Sequence, residues 1–112
     1  MDETHDLADF LHQALAEAGI SQSELARRAG VSKQVVSDYL RRKRTNPDPK
    51  VLVALAQALR LAPEALYRAA GLLPDISMDE AQWETFRANL ERLKPEGRRR
   101  ILKVIELEIE MQ

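Results

Sequence analysis

The chain has no cysteine. That excludes disulfides, thiolate metal sites and cysteine nucleophiles, and it fits a reducing compartment. Aromatic residues are only 4% of the 112 positions, so a core must be built from aliphatic side chains. Only four glycines stand among many Ala, Leu, Glu and Arg, a composition that favours helix. No β-branched alternation lasts long enough to predict strands. No apolar run reaches the ~20 residues that span a bilayer, and the N-terminal MDETHD is acidic, unlike a signal peptide. There is no glycine-rich phosphate cradle, no pair of catalytic carboxylates with a base, and no metal-ligand cluster. The expectation is a cytoplasmic protein without enzymatic activity, cofactor, bound metal or membrane association.

The net charge of −1 hides a strong segregation. Residues 1–20 carry five acids and no Lys or Arg; residues 21–50 carry eight Lys and Arg against three acids. Residues 51–73 are +1, and residues 74–112 carry seven bases against nine acids. A basic patch confined to one segment is the electrostatic footprint of a nucleic-acid binder. A solvated charged face is the alternative, and the patch gains weight only because it coincides with a motif.

That motif is SQSELARRAGVSKQVVSDYLRRKR, residues 21–44. Ser21 with Glu24 has capping-box spacing. Gly30 stands where a helix end needs positive φ, and Ser32 offers a second N-cap. Two helices joined by a short Gly-containing turn form the layout of a DNA-binding helix-turn-helix. In detail, Gln22, Leu25-Ala26, Gly30-Val31-Ser32 and Val36-Ser37 resemble the helix-turn-helix of the phage repressor and Cro family, the xenobiotic-response-element regulators. The resemblance implies an all-α, lambda-repressor-like five-helix domain over roughly residues 4–73. Two departures stand out. Leu40 occupies a position where the family usually has Glu, and Arg42 one where Gly usually ends the recognition helix, so this helix is expected to end differently or run longer.

The family pattern assigns roles to single residues. Helix two, about Ser21 to Ala29, positions the motif, with Gln22 near a DNA phosphate. Helix three, about Ser32 to Arg42, turns Val36, Tyr39 and Leu40 inward and Lys33, Gln34, Ser37, Asp38 and Arg41 outward. Lys33 suits guanine and Gln34 suits adenine in the major groove. Ser37 permits close approach, and Asp38 either accepts from cytosine or repels the wrong edge. Ser32, Arg41, Arg42, Lys43, Arg44 and Asn46 are backbone-contact candidates. Each is otherwise an exposed polar residue, and Arg27 and Arg28 read as solvated.

The remaining helices read from their spacing. Helix one begins near Thr4 or Asp6, carries Leu7, Phe10, Leu11, Ala14, Leu15 and Ala18, and stops at Gly19. Its His5 and His12 have no third ligand and read as surface or half-buried residues. Asp48 and Pro49 start helix four, which runs to about Arg60. Helix five runs from Pro63 to about Ala70, and Leu72 and Leu73 beyond it are dimer-contact candidates.

Pro74 and Asp75 mark a break, after which residues 74–112 are expected to form a two-helix extension to the 1–73 domain. Ser77 and Glu80 suggest another capping box, and Trp83, Phe86, Leu90 and Leu93 form a narrow apolar stripe. Pro95 separates this helix from the last, which runs to about Met111. There Ile101, Leu102, Val104, Ile105, Leu107, Ile109 and Met111 cover an arc wider than one neighbour hides. A dimerisation hairpin through Ile101, Leu102, Ile105 and Ile109 and simple packing on the same domain both fit. Arg98 to Arg100 read equally as DNA contacts or a solvated helix start. The expected function is a transcriptional regulator, a repressor binding near-palindromic double-stranded DNA as a homodimer. The alternatives are an antitoxin whose C-terminal helices mask a protein partner, and an adaptor that has lost DNA binding.

Overall fold

A computed structural model describes residues 6–44, 47–74 and 77–110, without the side chains of 108–110. Seven helices and no strand occur among the described residues: α1 (Leu7–Ala18), α2 (Gln22–Ala29), α3 (Lys33–Leu40), α4 (Pro49–Leu59), α5 (Pro63–Ala69), α6 (Glu80–Glu91) and α7 (Pro95–Glu110). None of them is long and apolar enough to cross a membrane.

Helix starts follow local chemistry. The side chains of Asp6, Ser21, Ser32 and Asp48 each accept from an otherwise unpaired backbone N–H of the first turn, at 2.9–3.1 Å. The Ser21–Glu24 box is only half made, because Glu24 turns to Arg27 and Arg28. The expected Ser77–Glu80 box is corrected by two residues. Asp79 caps α6, accepting from Gln82 N at 2.8 Å, while Gln82 Oε1 accepts from Asp79 N at 2.9 Å. Asp79 with Gln82 is an equally good pair, and adopting it lets α6 start at Glu80.

Helix α3 is shorter than expected. It ends at Leu40 because Arg42 takes left-handed backbone, φ 60°, in place of a glycine. Arg42 N then donates to Tyr39 O (3.3 Å) and Lys43 N to Asp38 O (2.8 Å), the two bonds of a Schellman closure.

The core is aliphatic. Leu11 of α1, Leu25 of α2, Val36 of α3, Leu52 and Leu55 of α4 and Leu66 of α5 are fully buried in one cluster. Helix α2 packs on α3 and α4, α4 on α5, and α1 on α3, α4 and α5. Leu93 in the turn after α6 and Ile101 of α7 belong to this same cluster, and α7 lies against α4. The extension is therefore fastened to the five-helix unit by apolar burial.

Three of the dimer-contact candidates are buried within the single subunit. Leu72, Leu73 and Ile101 are 1%, 2% and 0% exposed, so they serve the subunit's own core. Leu102 and Leu107 remain about half exposed, with Val104 and Ile105 partly buried against the core. The side chain of Ile109 lies outside the described residues.

The passage from α5 to α6 is specified by Gly71. Its φ is 75°, and a Cβ there would sit 2.9 Å from Asn89 Nδ2. Asn89 Nδ2 itself donates to Gly71 O at 3.0 Å, so a Cβ at this left-handed position would also displace the Asn89 amide from that bond.

Candidate nucleic-acid interface

The two helices of the central motif are set by their inner faces. Leu25 and Ala26 of α2 and Val36, Tyr39 and Leu40 of α3 are buried. Burial of those faces fixes which residues stay outside. Lys33 and Gln34 are exposed, and Ser37 and Asp38 are half-buried, on the opposite side of α3. All four share one outward face, together with exposed Arg41.

Two of these side chains are bonded to one another. Gln34 Nε2 donates to Asp38 Oδ1 at 2.7 Å, one helical turn apart. One amide hydrogen and the carbonyl oxygen of Gln34 stay available, the pair that a bidentate adenine contact uses. Asp38 therefore orients Gln34, a role its place in the sequence did not show. Ser32 Oγ is engaged as the N-cap of α3 but keeps its own hydroxyl hydrogen to donate. Gln22, half-buried, begins α2 beside the Ser21 cap.

The cations divide into committed and uncommitted groups. Glu24 binds both Arg27 and Arg28, and these hydrogen bonds, Arg27's first, hold its carboxyl down to about 2. The two arginines are thus paired rather than merely solvated. Arg42 is also paired, with Asp6, the N-cap of α1, and with Asp9 in its first turn. The left-handed turn aims this guanidinium back at the start of α1, where it stays about half exposed. The acids of the first segment suit the N-terminus of α1, as their position suggests, but two of them also neutralise a cation of the basic segment.

Lys33, Arg41 and Lys43 are exposed and have no carboxylate partner among the described residues. Arg44 lies over the ring of Tyr39, 5.6 Å from its centroid. Tyr39 belongs to the core, and its hydroxyl accepts from Asp48 N at 3.0 Å, tying the end of α3 to the start of α4. Burial is the main cause that raises the Tyr39 hydroxyl's pKa above its usual value. Asn46 lies outside the described residues, as does His5. His12 Nε2 is 3.3 Å from Leu40 O, a structural contact between α1 and α3.

The arrangement is two short helices, a glycine turn and a capped second helix with a polar outer face, followed by a basic loop. A helix-turn-helix family model, HTH_3, matches residues 11–66, from within α1 to within α5 and across half of the chain. Neither a curated protein nor a solved structure matches it. The chain belongs to the Cro/C1-type helix-turn-helix family, whose members are DNA-binding transcriptional regulators.

Proposed function

We propose that the protein is a cytoplasmic repressor that occupies a near-palindromic operator as a homodimer and blocks a promoter. The observation that carries the reading is the outer face of α3, where Lys33, Gln34, Ser37 and Asp38 stand together and Gln34 is held by Asp38. In this mechanism the start of α3 enters the major groove. Lys33 and Gln34 contact base edges, Ser37 allows close approach, and Asp38 orients Gln34. Gln22, Ser32, Arg41, Arg42, Lys43, Arg44 and Asn46 hold phosphates and set the register. With about four cations per subunit on phosphate, a dimer's affinity falls with salt at a log–log slope near −7.

Residues 1–73 serve as the reading unit and residues 74–112 as the pairing element. The exposed Leu102 and Leu107 of α7 support pairing through that helix. Two subunits then place two recognition helices about one turn of DNA apart.

The test is selection of bound sequences from a random duplex pool with the full chain. Recovery of a two-fold motif is expected; absence of any selected motif and of salt-dependent duplex binding would sink the regulator reading. An antitoxin would use the same DNA-binding surface and cover Leu102 and Leu107 with a toxin. Co-purification of a small partner that masks α7 would favour it over subunit pairing.

A further inference from the structure

A second concentration of positive charge joins the part of the chain that the family model matches to the α6–α7 turn beyond it. A cleft of about 440 Å³ opens between the loop after α3, the first turn of α4 and the α6–α7 turn. Five cations line it: Arg44, Lys50, Arg92, Lys94 and Arg100. Only two acids, Asp48 and Glu96, share the lining, and Asp48 is engaged as the N-cap of α4. All five cations are exposed, and Lys50, Arg92 and Lys94 have no carboxylate partner among the described residues.

The cleft is held by packing rather than by its charges. Leu93, between Arg92 and Lys94, and Ile101, after Arg100, are both in the core. Gly97 brings α7 against α4 so closely that a Cβ there would lie 3.3 Å from Pro49 Cδ. The Arg98–Arg100 run is divided by this geometry. Arg98 donates to Glu91 O at 3.4 Å, closing the end of α6, while Arg100 lines the cleft. Like charges converging on one cleft repel each other, and they focus a field that attracts an extended anion. Arg44 belongs both to this cleft and to the basic loop that follows α3, so the two positive surfaces are continuous.

We propose that the α6–α7 turn is a second phosphate-binding element. In it Arg92 and Lys94, with Arg44, Lys50 and Arg100, take the sugar-phosphate backbone of duplex DNA flanking the segment faced by α3. This rests on the operator-binding reading above. The extension then adds length to the DNA contact and makes affinity depend on flanking duplex, without adding base preference.

The experiment compares the full-length wild type with Arg92→Gln/Lys94→Gln on two duplexes carrying the selected motif. One ends at the motif; the other continues about ten base pairs on each side. On the long duplex the double variant should bind on the order of 10-fold more weakly near 0.15 M salt, with a salt slope shallower by about 2 per subunit. On the short duplex the two proteins should bind alike, and both should select the same motif. Arg92→Lys/Lys94→Arg should restore the long-duplex affinity, which separates charge from damage to the fold. Equal affinity and slope on the long duplex, with the wild type still selecting a motif, would overturn this proposal and leave the regulator reading standing. A wild type that selects no motif would overturn both. Inorganic pyrophosphate is the third arm: if the double variant loses pyrophosphate binding in calorimetry while duplex affinity is unchanged, the cleft serves a small phosphate-bearing ligand and the DNA assignment fails.

Discussion

Arg42 and Asp6, 36 positions apart, form a two-pronged pair: Nε donates to Oδ2 at 2.7 Å and Nη2 to Oδ1 at 3.1 Å. The same Nη2 reaches Asp9 Oδ1 at 2.7 Å. The pair links the turn after the recognition helix to the first turn of α1. Arg42 makes it from left-handed backbone, φ 60°.

Acid sensitivity should follow from that link. Hydrogen bonding to Arg42 is the main cause that holds the Asp6 carboxyl below its usual 3.8. The stabilisation is therefore complete above that value and is lost as pH falls through the lower folded value. Asp6→Asn keeps a competent N-cap but removes the titration. Its melting temperature should change less than that of wild type between about pH 5 and pH 2. Parallel acid limbs for the two proteins would show that the pair contributes nothing.

Two arginines with positive φ allow the backbone to be separated from the ion pair. Arg60, φ 58°, caps α4 without a carboxylate partner among the described residues. Arg60→Gly should stabilise by about 1 kcal/mol, since left-handed backbone is unfavourable for residues with a Cβ. Arg42→Gly gains the same relief but forfeits Asp6 and Asp9, so its rise in melting temperature should be smaller or absent. Equal rises in thermal unfolding would mean that the Arg42 pair is energetically silent.

Base preference should expose the Gln34–Asp38 bond. Gln34→Ala should reduce discrimination at one operator position by about 1–3 kcal/mol. Asp38→Ala should blur the same position, because Gln34 loses its orienting partner, and the double variant should be little worse than Gln34→Ala alone. Selection profiles that change at different positions would give Asp38 a contact of its own.

Gly71→Ala should destabilise by about 2 kcal/mol in denaturant unfolding. It combines unfavourable left-handed backbone with a Cβ driven against Asn89. Asn89→Ala, which gives up one hydrogen bond, should cost about 1 kcal/mol. In the Asn89→Ala background the Gly71→Ala penalty should shrink but not vanish, since the φ cost remains. A penalty unchanged by removing Asn89 would show that the close approach plays no part.

Subunit pairing is best tested by Leu102→Ser/Leu107→Ser. Deleting residues 75–112 would strip Leu93 and Ile101 from the shared core, confounding assembly with unfolding. Both leucines are about half exposed, so the double substitution should lower the mass measured by sedimentation while leaving the helical signal intact. An unchanged dimer mass would place the interface elsewhere.

Local chemistry and hydrophobic periodicity sufficed for much of this protein. Ser21 and Ser32 cap helices because a hydroxyl can satisfy a first-turn N–H wherever the helix sits. Val36, Tyr39 and Leu40 point inward because their spacing puts them on one face, which in turn sets Lys33, Gln34, Ser37 and Asp38 outside. The family motif is equally local, so the helix-turn-helix was legible from residues 21–44. Tertiary structure decided which charges are spent and which apolar residues are free. Nothing within a few residues of Arg42 says that it will meet Asp6, and nothing near Leu72 or Ile101 separates an internal core from a subunit interface. The cleft joining Lys50 to Arg92 and Lys94 likewise exists only once Leu93 and Ile101 are buried. Ion pairs and shared cores depend on distances between segments far apart in the chain, whereas caps and helix faces depend on neighbours within a turn or two.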